Sequence, residues 1–132
     1  MSPKKILLAE DDLDDQTFFS EFLQSRRDLK LLPIVENGEE VFDFLSSLRG
    51  MDDLPDIIIL DQNMPKINGL QTLHMLKGNT VYENIPVIIY TTNPDKNLSQ
   101  RCMDSGAALV FPKPYSPEGY GELVDQLLDL IT

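Results

Sequence analysis

Four short apolar runs, separated by segments with helical periodicity, constrain the fold of this chain more than any other feature. The runs cover residues 6–9, 57–60, 87–90 and 107–111. Each is too short for a helix and rich in branched side chains, as is typical of strands buried on both faces of a parallel sheet. A weaker run at residues 31–35 contains Pro33. Because proline has no N–H to donate within a sheet, we predict an edge strand there.

The segments between these runs place apolar side chains on one face of a helix. These side chains are Phe18, Phe22 and Leu23 in the first segment, Val41, Leu45 and Leu48 in the second, and Leu70, Leu73 and Leu76 in the third. Their spacing predicts amphipathic helices. A fourth helix is expected from about Asp95 to Gly106. Ser116 and Pro117 are typical of the N-cap and first position of a fifth helix.

Strands that alternate with helices favour an α/β fold, in which a five-stranded parallel sheet carries helices on both faces and the crossovers are right-handed. A second strand at the edge suits the strand order 2-1-3-4-5, that of the (βα)5 flavodoxin-like three-layer sandwich. In this order the winding reverses beside the first strand, and ligands bind there, beyond the carboxyl ends of the strands. We therefore expect a functional site at that edge of the sheet.

The length of the chain, 132 residues, is that of one ordinary domain, and 42% hydrophobic residues are enough to build a core. We expect a single domain over residues 1–132 with no output domain, because the sequence ends directly after the last predicted helix. A membrane-spanning helix needs about eighteen consecutive apolar residues, and neither such a run nor a signal-peptide pattern is present. A cytoplasmic protein with no membrane partner is expected.

Charge and the scarcity of cysteine and histidine exclude other classes of function. Twenty-two acidic residues against eleven basic ones give a formal charge of -11, which repels a phosphate backbone and argues against direct binding of nucleic acid. Cys102 and His74 are single residues of their types, so they provide neither an internal disulfide nor a zinc site. We interpret both as packing or surface residues.

Polar side chains follow four of the predicted strands at their carboxyl ends. They are Glu10, Asp11 and Asp12 after the first strand, Asp61 after the third, Thr91 and Thr92 after the fourth, and Lys113 after the fifth. Three carboxylates about 5 Å apart repel one another by roughly 3 kcal/mol per pair at an effective dielectric constant near 20. A hard divalent cation such as Mg2+ relieves this repulsion, because it prefers oxygen ligands. The sequence therefore predicts a metal site at this edge.

Beside a metal ion, Asp61 can act as a carboxylate nucleophile towards phosphorus and form an acyl phosphate. Phosphoryl transfer places negative charge on three oxygens, which the protein must position and neutralise. The metal, the Lys113 ammonium and the Thr91 hydroxyl supply one contact each. A single strand-end aspartate is more often a turn residue, and it is the combination of acids, hydroxyl and ammonium at one edge that favours the chemistry.

Several motifs resemble the receiver domains of two-component response regulators, of the chemotaxis-regulator (CheY-like) type, over nearly the whole chain. The matching segments are residues 6–12, 61–69, 86–91, 106–107 and 113–115. The resemblance implies that Glu10 and Asp11 are the metal-binding acid pair, that Asp61 is the phosphoacceptor, and that Thr91 and Lys113 contact the phosphoryl group. It also implies a metal bond from the backbone carbonyl of Asn63, with Mg2+ or Mn2+ as the ion.

The same resemblance implies a function in signalling rather than in metabolism. The phosphoryl group would come from the phosphohistidine of a sensor histidine kinase or phosphotransfer protein. The output would pass to an unknown downstream protein through the face formed by the fourth helix, fifth strand and fifth helix. A second copy of the chain, in a homodimer, is a further partner to expect. The family also implies a cis peptide bond between Lys113 and Pro114, whereas only about 5% of X-Pro bonds in general are cis.

Two residues depart from the family pattern. Val110 stands three residues before the lysine, where the family often has an aromatic side chain that rotates with the threonine. Thr92 stands where the family usually has Ala or Gly. We expect the larger Thr92 side chain to narrow the access to Asp61 and to slow both phosphorylation and hydrolysis.

Three other functions are consistent with parts of the pattern. An aspartyl-nucleophile phosphatase of the haloacid-dehalogenase class has a second acidic residue, the general acid, two residues after the nucleophile. Asn63 occupies that position here, which argues against this class. A flavodoxin-like carrier would bind a flavin phosphate after the first strand, where Glu10, Asp11 and Asp12 repel it. Neither the dinucleotide-binding motif G-x-G-x-x-G nor the P-loop motif G-x-x-x-x-G-K-S/T occurs, which argues against nucleotide binding. A receiver-like interaction module that is not phosphorylated stays open as the alternative.

Overall fold

The computed structural model describes residues 2–132, so Met1, the first residue of the predicted domain, lies outside the described residues. Within this range, five strands alternate with five α-helices. The strands are β1 Lys4–Ala9, β2 Leu29–Leu31, β3 Ile57–Asp61, β4 Val87–Thr91 and β5 Leu109–Pro112. The helices are α1 Leu13–Leu23, α2 Gly38–Ser47, α3 Gly69–Lys77, α4 Lys96–Asp104 and α5 Pro117–Ile131. No helix in residues 2–132 has both the length and the apolar character needed to cross a membrane.

The predicted sheet order is confirmed. All neighbouring strands pair in parallel, in the order β2-β1-β3-β4-β5. Ala9 pairs with Leu60, Asp61 with Tyr90, and Thr91 with Pro112. Because these pairs lie at the carboxyl ends, the last residues of four strands reach the same edge of the sheet.

Alternate residues of the central strands pack into two apolar layers, one on each face of the sheet. Ile58 and Leu60 of β3 lie in the layer that contains Leu73 of α3, whereas Ile57 and Ile59 lie in the layer with Phe19 and Leu123 of α1 and α5. All four β3 isoleucine and leucine side chains are fully buried, each contributing roughly 1.5–3 kcal/mol by leaving water. This packing fixes the strand ends that carry the polar side chains.

The predicted edge strand is displaced. β2 ends at Leu31, two residues before Pro33, rather than covering residues 31–35. Leu32 still donates its N–H to the Ile6 carbonyl and Val35 donates to Leu8, but Pro33 between them has no N–H to donate. The proline therefore interrupts the ladder instead of lying within an edge strand.

The fifth strand also begins later than the predicted residue 107. Gly106 has a φ angle of 104°, which favours glycine, and the Ala107 N–H returns to the Cys102 carbonyl. Ala107 therefore closes α4 before β5 starts at Leu109. The predicted helix starts are confirmed, with Asp95 and Ser116 as N-caps of α4 and α5.

Candidate functional site

Most of the side chains predicted to converge meet at a cavity of about 620 Å³ at the carboxyl edge of the sheet, and Thr91 is not among the residues that line it. Carboxylate oxygens of Glu10, Asp11 and Asp61 lie within 4.8 Å of one another. The cavity is lined by Asp11, Asp12, Leu13, Asp14, Asp61, Asn63, Thr92 and Lys113. Residues from the loops after β1, β3, β4 and β5 thus meet at the predicted place.

Lys113 is shared among three carboxylates. Its Nζ lies 2.8 Å from Glu10 Oε1, 2.8 Å from Asp15 Oδ2 and 3.1 Å from Asp61 Oδ2. Burial by itself lowers the pKa of Lys113, but the hydrogen bonds to Asp15 and Glu10 and the neighbouring negative charges raise it above its ordinary value. The side chain is therefore a fixed positive charge next to Asp61.

Glu10 is fully buried and held by three donors. Its Oε1 accepts the Tyr90 hydroxyl at 2.7 Å as well as the Lys113 ammonium, and its Oε2 accepts the Asp12 N–H at 3.0 Å. A carboxylate offers about four acceptor positions, so one remains on Glu10. That position suits a cation or a metal-bound water, since Mg2+ retains several waters in proteins.

Asp61 is buried at the end of β3, between the positive charge of Lys113 and the negative charge of Glu10. Burial, followed by repulsion from the Glu10 carboxylate, raises the pKa of Asp61 to about 7. The Asn63 N–H, which donates to Asp61 Oδ1 at 3.1 Å, and the Lys113 ammonium act in the opposite direction. A divalent cation at the cluster favours the ionised carboxylate, because it adds positive charge next to it.

The donor set fits a hard divalent cation. Three carboxylates, those of Glu10, Asp15 and Asp61, contact the Lys113 ammonium, and the Asp11 carboxylate lies beside Glu10 and Asp61, so negative charge is in excess within this cluster. Oxygen ligands of this kind are those of Mg2+ and Mn2+. Asn63 lines the same cavity, and the role of its carbonyl as a ligand stays a prediction.

The loop after β3 is shaped by close backbone packing. A Cβ atom at Gly69 would lie 2.8 Å from the Asp61 carbonyl oxygen, which excludes a larger residue there without a shift of the backbone. Asn68 accepts the Gln71 N–H, and the Gln71 side chain accepts the Asn68 N–H in return, so α3 begins at a fixed point. This holds the short segment that carries Asn63 against the cavity.

The two threonines after β4 differ in environment. Thr91 is 2% exposed, and its hydroxyl oxygen accepts the Asn93 N–H at 3.3 Å. Thr92 is exposed and lines the cavity.

Val110 is half-buried and packs against the apolar layer on the α4 side of the sheet. The position three residues before Lys113 therefore holds an aliphatic side chain, with no aromatic ring to rotate.

The implied cis bond between Lys113 and Pro114 is wrong for this structure, because no peptide bond in residues 2–132 is cis. The trans form is the more stable one for X-Pro bonds in general, and Lys113 reaches Asp61 with it.

His74 lies exposed on α3 and Cys102 is buried, in agreement with surface and packing roles. Of the two tyrosines next to the start of α5, Tyr115 is exposed and Tyr120 is buried.

Two members of the polar network were missed by sequence reasoning. Asp15 is not among the residues predicted at this edge, although a position three residues after the helix-capping Asp12 lies in the first turn of α1, next to the site. Tyr90 was counted as an apolar strand residue. A phenol within a buried strand nevertheless requires a hydrogen-bond partner, and the acids at the same edge were the available acceptors.

Comparison with known proteins gives the family. The family model for the response regulator receiver domain matches residues 6–125. A protein-glutamate methylesterase/protein-glutamine glutaminase of Clostridium acetobutylicum is 28% identical over 133 residues, covering 99% of this chain and 36% of the relative. The hybrid signal transduction histidine kinase D of Dictyostelium discoideum is 27% identical over 133 residues, covering 85% of this chain and 8% of the relative.

The fold of a solved relative agrees with this result. The crystal structure of the Mn2+-bound form of response regulator Rcp1 matches with a TM-score of 0.79 at 26% identity, covering 95% of this chain and 91% of that one. The chain spans much less than two thirds of the two longer relatives, in which the matched region is one part. Since the family model covers most of residues 2–132, the chain belongs to the response regulator receiver domain family.

Proposed function

We propose that this receiver domain accepts a phosphoryl group on Asp61 from the phosphohistidine of a sensor histidine kinase or phosphotransfer protein. The observation that carries the proposal is the Lys113 ammonium 3.1 Å from Asp61 Oδ2, within a cluster of acids that fits a divalent cation. A buried carboxylate is an unusual feature unless charge is to be neutralised there.

The transfer is a displacement at phosphorus. One Asp61 carboxylate oxygen forms the new oxygen–phosphorus bond while the nitrogen–phosphorus bond of the phosphohistidine breaks. The electron pair of the broken bond remains on the ring nitrogen, and the imidazole leaves neutral because its other nitrogen carries the proton. Asp61 must be ionised at this step.

We expect Mg2+, or Mn2+, to be held by Glu10, Asp11, Asp61 and the backbone carbonyl of Asn63. A cation bound there supplies positive charge that offsets the phosphoryl oxygens. Lys113 can donate to a second oxygen. The Thr91 hydroxyl already accepts the Asn93 N–H, so its own proton is available for a third. The similar response regulator Rcp1 is described in a Mn2+-bound form, which supports a divalent ion.

Acetyl phosphate and Mg2+ provide a test without a cognate kinase. We expect intact-mass measurement to detect one added phosphoryl group on the wild-type protein and none on Asp61→Asn. The exposed Asp129, on α5, offers a matched control, and Asp129→Asn should retain the adduct. A folded wild-type protein that gains no adduct would contradict the proposal and support the alternative of an interaction module that is not phosphorylated.

Phosphorylation would act on a surface. A phosphoryl group adds a charge of about -1.5 to -2. Inward movement of Thr91 and Lys113 would shift the relative populations of two arrangements of the face formed by α4, β5 and α5. We expect this face to bind a downstream protein or a second copy of the chain. Beryllium fluoride with Mg2+ should move amide NMR signals of this face, and changes confined to the loops around Asp61 would contradict the expectation.

Thr92 is expected to restrict access to Asp61, because its side chain is exposed and lines the cavity. Replacement Thr92→Ala removes a hydroxyl and a methyl group, which gives water and donors more room. We expect the lifetime of the acyl phosphate to shorten roughly two- to tenfold, which corresponds to at most about 1.4 kcal/mol of activation free energy. Thr80→Ala, in the exposed turn after α3, is the control. Equal lifetimes for Thr92→Ala and the wild type would discard this role.

A further inference from the structure

Asp15 contacts Lys113 but lies outside the acids that fit a metal ion. Its Oδ2 is 2.8 Å from Lys113 Nζ, as close as Glu10 and closer than Asp61. The grouping of carboxylates suited to a cation contains Glu10, Asp11 and Asp61. Asp15 is therefore a partner of the lysine, not of the metal, and its contact has to be explained separately.

The position of Asp15 is fixed by the start of α1. Its backbone N–H donates to Asp12 Oδ1 at 3.0 Å, which caps the helix, and the Asp12 N–H donates in turn to Glu10 Oε2 at 3.0 Å. Asp15 is thus held by the same short loop that carries the acid pair. The carboxylate meets the ammonium without the large entropy cost of ordering two free surface side chains.

The three N–H groups of a lysine ammonium equal in number the three carboxylates around Lys113. A phosphoryl oxygen on Asp61 can take the place of Asp61 Oδ2 at Lys113, but it can gain a contact beyond that one only if Glu10 or Asp15 gives way. Glu10 has a side chain that is 0% exposed, whereas that of Asp15 is 24% exposed. Releasing Asp15 to water therefore costs less than releasing Glu10, because an unpaired buried charge is strongly unfavourable.

We propose that Asp15 is a positioning residue that competes with the phosphoryl group on Asp61 for the Lys113 ammonium and so weakens the phosphorylated state. The inference rests on the proposed function and adds a determinant of its strength. Phosphorylation breaks the ion pair between Asp15 and Lys113, which frees the first turn of α1 from the residue that follows β5. The acid thereby sets how readily the site retains a phosphoryl group.

Beryllium fluoride, a mimic of the phosphoryl group, provides the test in the presence of Mg2+. We expect Asp15→Asn to bind it roughly three- to tenfold more tightly than the wild type, measured by fluorine NMR. Asp14 is the matched control. It lines the same cavity one residue earlier, and within residues 2–132 its side chain makes no ion pair or hydrogen bond. Asp14→Asn should improve binding by less than about twofold.

Binding of Mg2+ alone separates pairing from bulk charge. Both asparagine variants remove one negative charge from the same turn, so their Mg2+ affinities should change equally, while their beryllium fluoride affinities should differ. Asp15→Glu should return the affinity towards the wild-type value, because it restores a carboxylate. Asp15→Ser provides a second neutral variant if Asp15→Asn does not fold.

The outcomes distinguish this inference from the proposed function. If Asp15→Asn binds beryllium fluoride no more tightly than Asp14→Asn, the inference is overturned and the proposed function stands. If the wild type binds no beryllium fluoride and forms no acyl phosphate, both are overturned. If Asp15→Asn and Asp15→Ser bind beryllium fluoride more tightly than the wild type, and Asp14→Asn and Asp15→Glu do not, the competition is supported.

Discussion

Replacement of Asp61 with asparagine is expected to stabilise the metal-free protein at pH 8, raising the free energy of unfolding by about 1 to 4 kcal/mol. Burial and the Glu10 carboxylate raise the pKa of Asp61 from 3.8 to about 7. Ionisation of this side chain therefore opposes folding. An amide of the same shape removes the cost and can still accept from the Asn63 N–H.

The sign of the pH dependence follows from the raised pKa. Between the unfolded pKa near 3.8 and the folded value near 7, the folded state binds more protons than the unfolded state. The contribution of Asp61 to stability is fully present below the lower value and is lost as the pH rises through the upper one. The advantage of Asp61→Asn should therefore be largest at pH 8 and should shrink towards pH 4.

Urea unfolding in a chelator buffer at several pH values measures this effect, with Asp129→Asn as the control for loss of one surface charge. Added Mg2+ should then stabilise the wild type more than Asp61→Asn, because a ligand that binds only the folded state adds to its stability. An Asp61→Asn protein that is less stable than the wild type at pH 8 would contradict the assignment of a cost to the ionised carboxylate.

The main elements and the meeting point of the polar residues could be predicted from the sequence for the same physical reason. Buried parallel strands such as Ile57–Asp61 appear as continuous apolar runs, and parallel strands end at one edge. Polar residues that directly follow such runs must meet there. The edge strand was less predictable, because β2 is short and the backbone around Pro33 decides where pairing stops.

The contacts within the site depend on geometry that a linear pattern does not contain. Whether Asp15 reaches Lys113 depends on how α1 starts, since a helical turn places the third residue after a cap back over the strand end. Whether Tyr90 reaches Glu10 depends on the orientation of one phenol across 80 residues of sequence. The trans bond before Pro114 likewise departs from what the family implies.

Replacement of Lys113 with methionine is expected to act in the opposite direction to Asp61→Asn. It should lower the free energy of unfolding of the metal-free protein by about 3 to 5 kcal/mol at pH 8, the usual cost of removing one partner of a buried ion pair. Methionine retains an unbranched apolar stem. Glu10, which is 0% exposed, and Asp61, which is 2% exposed, then face each other without the ammonium.

The surface supplies a matched control. Lys66 lies 3.7 Å from Glu39 with both side chains more than half exposed, so Lys66→Met should cost less than about 1 kcal/mol. Urea unfolding of both variants in a chelator compares the two environments directly. A loss of similar size in the two would show that Lys113 does not neutralise buried charge.

Three further changes should restore part of the stability of Lys113→Met, and together they identify the cause. Lower pH protonates Asp61, and Mg2+ replaces the lost positive charge, so either should reduce the deficit. Addition of Asp61→Asn to Lys113→Met should recover part of the lost free energy, because one of the two facing charges is gone. If the double variant is no more stable than Lys113→Met, the loss comes from packing of the lysine stem rather than from charge. The stability of this edge of the sheet thus depends on how many positive charges face its buried acids, which is the same quantity that binding of a divalent cation would change.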